Sequence, residues 1–366
     1  MIVINYGRDW VKITYDALAA SDIRTYLMPG FSVSLKPNLV SPKPSCMGST
    51  THVEVLEGII LFLKDFGIRK IEIIENASFG QSAAAGFKAC GYEALRKKYG
   101  VPLVDLKDDN FTAVQHSGYE LKVSGKALNS DFLINVPVLK AHSQTRVTCC
   151  MKNLKGCMPQ SEMRRFHTLG LHKPIAALNA VLKTGYCVVD GICGDLSFEE
   201  GGTPVEANRV IAGRNPLLVD SFCARLIGYL PDDIEYLSIG KEMKLGAYFS
   251  DDTEVLELNK EEKPLFQMKS GRIADKYRGF INDDQACSVC YAALIFALNR
   301  KNVSEKALRS AWFPRGGKIC VGQGFKGKSG EGLGVGNCAK GFKSHVSGCP
   351  PKAVDILSFL NNEISE

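Results

Sequence analysis

At 366 residues the chain is too long for one ordinary domain and reads as two. Its 45% apolar and 23% charged residues fit a soluble globular protein with a sizeable core. The net charge of +6, from 45 basic and 39 acidic residues, favours an anionic small ligand or an acidic partner over nucleic acid, for which basic runs interleaved with aromatics would be expected. The N-terminal "MIVINYGRDW" lacks the long apolar core of a signal peptide, and the longest apolar stretch, "YAALIFAL", falls short of the roughly 20 residues a membrane span needs. The expectation is therefore a cytoplasmic protein that binds neither membrane nor nucleic acid. Thirteen cysteines in a reducing compartment point to metal or redox chemistry and not to a disulfide framework.

Along the first two-thirds, strand-like and helix-like segments alternate. "FSVSLKPN" (31–38) reads as a strand. "TTHVEVLEGIILFLKDFG" reads as a helix, with Val53, Leu56, Ile60 and Leu63 at helical spacing, a capping box from Thr51 and Glu54, and Gly67 as its stop. "RKIEIIEN" (69–76) is the next strand, followed by one helix through "AAAGFKACGYEALRKKY". "SDFLINVPVLK" (130–140) and "YCVVDGI" (186–192) are further strands with the helix "LHKPIAALNAVLK" between them, and "RVIAGRNPLLVDSFCARLIG" is a strand, a turn and a helix. This alternation predicts an α/β domain over 1–262 with a largely parallel sheet flanked by helices. "LNKEEKPLFQMKSGR" reads as a linker, and 263–366 as a smaller cysteine- and glycine-rich α+β domain.

Ligands of open parallel sheets bind beyond the carboxyl ends of the strands. At those places stand Lys36, Pro37 and Asn38, then Glu75 and Asn76, then Lys140 and His142, and finally Asp190. The connection 140–173 carries seven lysines and arginines (Lys140, Arg146, Lys152, Lys155, Arg164, Arg165, Lys173) with His142 and His167, opposed only by Glu162. Read functionally, this is an anion pocket: Lys36, Asn38, Glu75, Asn76, Lys140, Lys152, Asn153, Lys155 and Arg165 bind a carboxylate or phosphate, while His142, His167 and Asp190 handle protons. The plainer reading is a basic surface that docks a protein.

The C-terminal region holds Cys287 and Cys290 as a CxxC at the mouth of the helical run "YAALIFALNRK", and Cys338 and Cys349 in the glycine-flanked "GVGNCAKGF" and "VSGCPPKA". A CxxC chelates one metal centre, a helix N-terminus favours thiolates, and a last cysteine followed by proline matches the end of ferredoxin cluster motifs. One tight pair plus two ligands separated by ten residues suits a 4Fe–4S cluster better than zinc, whose structural sites show two tight pairs. Two small buried core thiols remain the alternative to any metal. "GQGFKGKSGEGLGVGNC" (322–338), with seven glycines and two lysines, is expected to be a loop around a cluster or anion, or simply a flexible surface loop; it is not a Walker A loop. Cys320, alternating with Ile319 and Val321, reads as a buried strand residue. Cys149, Cys150 and Cys157 include a candidate nucleophile or ligand, against the plainer reading of core filler.

Taken in order, "KPNLV", "TTH", "NVPVLKAHSQT", "MKNLKGCMP", "RRFH" with "GLHK", "VVDGI" and "AGRNPLLVD" resemble the family known as domain of unknown function 362 over about residues 30–240. The tail resembles the cysteine-rich extension of the members described as iron–sulfur proteins, without the ferredoxin-type inserts of others. The resemblance implies an iron–sulfur cluster in an anaerobic, redox-linked setting and supplies no reaction. The leading expectation is a one-cluster oxidoreductase or electron-transfer enzyme acting on an anionic small molecule, with an electron donor such as a ferredoxin. The others are a metal-stabilised binding or maturation factor docking through 140–173, and a non-redox iron–sulfur lyase.

Overall fold

The computed structural model describes residues 1–77, 81–199, 201–266, 269–303 and 318–363. Two compact units emerge: Met1–Met163 with His172–Ser270, and Arg164–Leu171 with Gly271–Glu366. Gln267 and Met268 of the expected linker lie outside the described residues.

The strands of the first unit are β1 (Ile2–Tyr6), β2 (Ser32–Pro37), β3 (Lys70–Glu75), β4 (Leu103–Asp105), β5 (Phe111–His116), β6 (Tyr119–Ser124), β7 (Phe132–Val136), β8 (Lys140–His142), β9 (Arg146–Thr148), β10 (Tyr186–Asp195), β11 (Pro204–Gly213) and β12 (Val255–Leu258). Eight of them form one sheet in the order β12-β1-β11-β10-β7-β2-β3-β4. β11 runs antiparallel to both β1 and β10, and the remaining neighbours are parallel. β5–β6 and β8–β9 are separate antiparallel pairs. The protein is therefore α/β with a largely parallel sheet.

Period-two alternation divides the buried side chains between the two faces of the sheet. Val33, Leu35, Ile71, Ile73, Ile134, Val188 and Val210 join one apolar core with the helices Trp10–Ala20 and Val53–Phe66. Their alternates, among them Lys36, Asn135 and Cys187, face the other way, towards the segment 150–158 and the helix Pro216–Leu226. The two helices of the first layer approach closely because Gly58 has no side chain: a Cβ there would lie 2.6 Å from Val11 O and from Thr14 Cβ.

Two local expectations are corrected. The helix after β2 does begin at Val53 and end at Gly67 (φ +100°), but the predicted capping box is not formed. Thr51 instead accepts from Asn38 N (2.8 Å) and donates to Val136 O (2.8 Å), tying the C-terminal ends of β2 and β7 together. The helix starts on His52, whose N–H and Nδ1 both reach Asp190 Oδ2, at 2.7 and 2.8 Å. The single helix expected over 83–99 is two, Ala83–Ala89 and Glu93–Tyr99. Gly91, at φ +77°, turns the chain between them so that Tyr92 is buried and donates to Thr51 O at 2.8 Å.

In the second unit, β13 (Ile281–Asp283), β14 (Ile319–Val321), β15 (Ser329–Val335) and β16 (Gly341–Val346) form a sheet that is parallel throughout. The helices Ser288–Lys301 and Ala353–Glu363 pack against each other. The glycine-rich stretch expected to be a loop contributes strand β15 instead. Its glycines admit neighbours: a Cβ on Gly334 would lie 2.2 Å from Ala339 O. Cys320 lies in β14, buried. Among the described residues, no helix is long and apolar enough to cross a membrane.

Two predictions follow from these contacts. A Cβ on Gly194, in β10, would stand 2.0 Å from Leu139 O, whereas one on Gly279 would meet nothing within 4 Å. Urea unfolding should show Gly194→Ala destabilised by about 1–3 kcal/mol and Gly279→Ala unchanged within about 0.5 kcal/mol. The second concerns His52. Burial works to lower its pKa, but the charge and hydrogen bond of Asp190 outweigh burial and leave it raised above the usual 6.5. The imidazolium–carboxylate pair should therefore contribute fully below about pH 6.5 and fade as pH rises through the folded-state value. His52→Asn should remove this slope from a plot of unfolding free energy against pH, and equal slopes in both proteins would count against it.

Candidate functional site

Where β2 and β3 end, Lys36 Nζ donates to Glu75 Oε2 (2.8 Å) and to Pro37 O (2.7 Å). Glu75 also accepts from Leu39 N at Oε2 (3.1 Å) and from Asn76 N at Oε1 (2.8 Å). Lys36 is 1% and Glu75 3% exposed. Burial pushes the Glu75 carboxyl up, and the Lys36 ammonium and the two amides pull it back. Gly156 covers the pair: a Cβ there would lie 2.0 Å from Glu75 Oε1 and 2.5 Å from Lys36 Nζ. The segment holding this glycine is fastened by amides. Asn153 Nδ2 donates to Lys36 O (3.1 Å) and Asn135 Oδ1 (2.8 Å), Asn135 Nδ2 to Cys150 O (2.8 Å), and Asn76 Nδ2 to Met158 O (2.7 Å).

Several residues expected to face an anion thus hold the strand ends to one another. Lys140 is also turned inward, donating to Ser49 O (2.7 Å) and Glu199 O (2.8 Å). Asp190, expected to handle protons, is fully buried against His52, which the sequence reading passed over. Lys155 is half-buried on the turn Leu154–Cys157. Arg165 and His167 stand on the helix Gln160–Thr168, in the part grouped with the second unit.

Beside Lys140 lies a second polar cluster. His142 Nδ1 accepts from the backbone N–H groups of Gln144 (3.1 Å) and Thr145 (3.2 Å), which places the ring proton on Nε2. Nε2 is 3.7 Å from Glu199 Oε1. The other Glu199 oxygen accepts from Ser143 N (3.1 Å) and Oγ (2.7 Å). Burial raises the Glu199 pKa, against the pull of Ser143 and Lys152. Lys152 Nζ donates to Thr148 Oγ1 at 3.4 Å, and burial, opposed by the Glu199 charge, pulls its pKa down to about 8. Glu199 Oε1, Ser49 Oγ, Asn38 Oδ1 and Asn76 Oδ1 are buried without a protein hydrogen-bond partner. Buried polar atoms are normally satisfied, so these four are exceptions at this edge. Glu199 was missed from sequence; the acidic pair before glycines in "FEEGG", just past β10, was the available signal. A surface hollow of about 330 Å³ lined by Ser32, Ser34, Glu72, Asp109 and Lys126 sits at the opposite, N-terminal ends of the strands.

Cysteines gather at two places. In the second unit Cys287 is the N-cap of the helix Ser288–Lys301, with Cys290 in its first turn. The loops carrying Cys338 and Cys349 are joined by Asn337 N to Gly348 O (2.9 Å) and Gly348 N to Asn337 Oδ1 (2.7 Å). Gly336, beside Asn337, leaves space that a Cβ would fill 3.9 Å from Cys290 Sγ. Burial raises the Cys290 thiol to about 12, and the charges of Cys287, Cys349 and Cys338 act in the same direction. Gln323 Nε2 donates to Cys287 Sγ at 3.8 Å. In the first unit Cys149, Cys150 and Asp220 bring their ligand atoms within 4.8 Å of one another, a group able to hold a metal ion.

Comparison with known proteins adds a family. Over 134 residues the chain is 30% identical to the thylakoid-associated protein sll1697 of Synechocystis sp., a match covering 37% of this chain and 41% of that protein's length. Among solved structures it is similar to the lactate racemase apoprotein from Thermoanaerobacterium thermosaccharolyticum, at 13% identity and a TM-score of 0.43, over 62% of this chain and 57% of that one. At that distance no chemistry is transferred. The model of one family, described as domain of unknown function (DUF362), matches residues 33–225, more than half the chain and the whole of the strand-end network just described, and the protein belongs to that family.

Proposed function

We propose that the protein is an iron–sulfur oxidoreductase or electron-transfer enzyme. One 4Fe–4S cluster is held by Cys287, Cys290, Cys338 and Cys349, and an anionic small molecule is bound at the strand ends of the α/β unit. The observation that carries the reading is the convergence of four thiols on one helix N-terminus, in mutual electrostatic reach, from a CxxC and two loops hydrogen-bonded to each other. A single zinc with Zn–S bonds of about 2.3 Å needs all its sulfurs within roughly 4 Å of one another. These four are not gathered so closely, since no three of them lie within 4.8 Å of one another. A cubane bridges wider spacings, and glycine-bounded loops give its sulfurs room and amide donors. When bound, the cluster supplies one-electron chemistry.

The chain's own residues supply the rest of the proposed site. Lys152, half-buried and close to Glu199, is the cation best placed for an anionic ligand. His142 and Glu199 are the proton-handling pair, because the backbone amides on Nδ1 aim the Nε2 proton towards Glu199 Oε1. Lys36, Glu75, Asn76, Asn153 and Asp190 are assigned to positioning. The inward turn of Lys36 and Lys140 speaks against the basic segment as primarily a docking face, and four thiols speak against the open iron a lyase needs. A ferredoxin-like donor and a cytoplasmic setting belong to this reading. The thylakoid association of the Synechocystis relative makes attachment to a membrane surface the alternative.

Anaerobic purification should give about four iron and four sulfide per chain, with visible absorption that bleaches under dithionite. Cys287→Ala with Cys338→Ala should abolish both; iron-free wild type, or iron that survives the double substitution, would end the cluster reading. Separately, calorimetric titration with inorganic phosphate and with acetate should show binding that weakens at least about tenfold in Lys152→Met. Only the protonated amine attracts an anion, so wild-type affinity should hold below about pH 8 and decline above it. A pH-independent affinity, or an unaffected variant, would remove Lys152 from the site.

A further inference from the structure

We propose that Cys149, Cys150 and Asp220, with the neighbouring Cys223, form a second metal site, for one zinc-class ion, buried within the α/β unit. It is independent of the C-terminal cysteines. Cys149 precedes the short helix Cys150–Asn153, and Asp220 and Cys223 stand three residues apart, on one face of the helix Pro216–Leu226. The sulfurs of Cys149 and Cys150 are 3.8 Å apart. Two corners of a tetrahedron with Zn–S bonds of about 2.3 Å are separated by roughly that distance. Cys149, Cys150 and Asp220 already close to within 4.8 Å, and Cys223 stands beside that set, within electrostatic reach of Cys149 and Asp220. Cys187, from β10, lies within electrostatic reach of Cys150.

The charge balance points the same way. Asp220 and the four cysteines are fully buried. Among the described residues no lysine, arginine or histidine pairs with Asp220, whose oxygens accept only from Cys150 N (2.7 Å) and Met151 N (2.9 Å) on the backbone. A carboxylate in an apolar interior without a counter-charge is costly, and two amides offset only part of that cost. A divalent ion bound by thiolates provides the missing charge, while the two amides orient the ligating carboxylate in the way outer partners of metal sites do. Mixed sulfur and oxygen donors at this spacing suit zinc over magnesium or calcium, which take oxygen alone. The plainer account is S–H···S contacts around an Asp220 carboxyl that burial keeps protonated, and the two accounts differ in whether the folded chain carries a stoichiometric metal.

Such an ion would pin the helix Pro216–Leu226 to the start of the segment carrying Lys152 and Asn153 across the strand ends. The test is elemental analysis of the full chain by plasma mass spectrometry, in wild type, in Cys287→Ala/Cys338→Ala and in Cys149→Ser/Cys223→Ser. The expected result is about one zinc per chain in the first two and less than about a tenth of that in the third. Cobalt exchanged into Cys287→Ala/Cys338→Ala should show intense near-ultraviolet thiolate-to-cobalt absorption, so the question is settled even if the serine variant does not fold. The proposal is overturned by a folded wild type without stoichiometric metal. It is equally overturned by zinc lost with Cys287 and Cys338 but retained without Cys149 and Cys223, or by cobalt lacking the thiolate band. Iron is counted in the same samples, so failure of the cluster and failure of this site give different elemental signatures.

Discussion

The Lys36–Glu75 ion pair, with both side chains almost wholly shielded from water, is the constraint around which the strand-end architecture is arranged. Desolvating two charges costs several kcal/mol each, and the pair is tolerable only if every remaining donor and acceptor is met. Leu39 N, Asn76 N and Pro37 O meet them, and each fixes a piece of backbone where β2 or β3 ends. Sealing the pair from above requires backbone at a distance that no side chain permits, which is why a glycine stands at position 156. Gly156 in turn needs its flanking chain held in place, and Asn153, Asn135 and Asn76 do that through carbonyl groups. Lys152 then leaves the short helix beside a network that already holds the neighbouring lysines.

Burial also sorts these charged groups by role. Lys36 and Lys140 have short contacts to protein oxygens and act as struts. Lys152 has one long contact, to a hydroxyl, and desolvation leaves it easily deprotonated; such a group responds to a ligand's charge. Glu199 is divided between the roles: one oxygen is fixed by Ser143, and the other, which makes no hydrogen bond, stands 3.7 Å from the His142 imidazole. The cysteines divide as well. Cys287, Cys290, Cys338 and Cys349 of the second unit are partly accessible, whereas Cys149, Cys150, Cys187 and Cys223 are sealed in the core next to a carboxylate.

Much of the fold was legible because it depends on local periodicity. β2, β3, β7 and β10, and the helices Val53–Phe66, His172–Val181 and Pro216–Leu226, follow from apolar spacing and terminal glycines. The strand β1, the edge strand β12 and the hairpin β5–β6 were missed, the last two being short or polar on one side, although Ser117 and Gly118, both at positive φ, mark the hairpin turn. The glycine-rich 322–338 was misjudged for a different reason. Glycine signals loops when read locally, but here it lets neighbouring backbone approach a strand.

The sequence by itself determined the α/β layering, the concentration of polar residues at the carboxyl ends of the strands, and a CxxC at a helix N-terminus, since each is a pattern within a few consecutive residues. Only the tertiary structure decided what those residues do. Lys36 meets Glu75 across 39 positions, Cys150 meets Asp220 across 70, and His52 meets Asp190 across 138. Whether a charged side chain at a strand end faces a ligand or a partner in the same chain depends on which distant segment covers it. That is set by the packing of the whole sheet, and no local pattern encodes it.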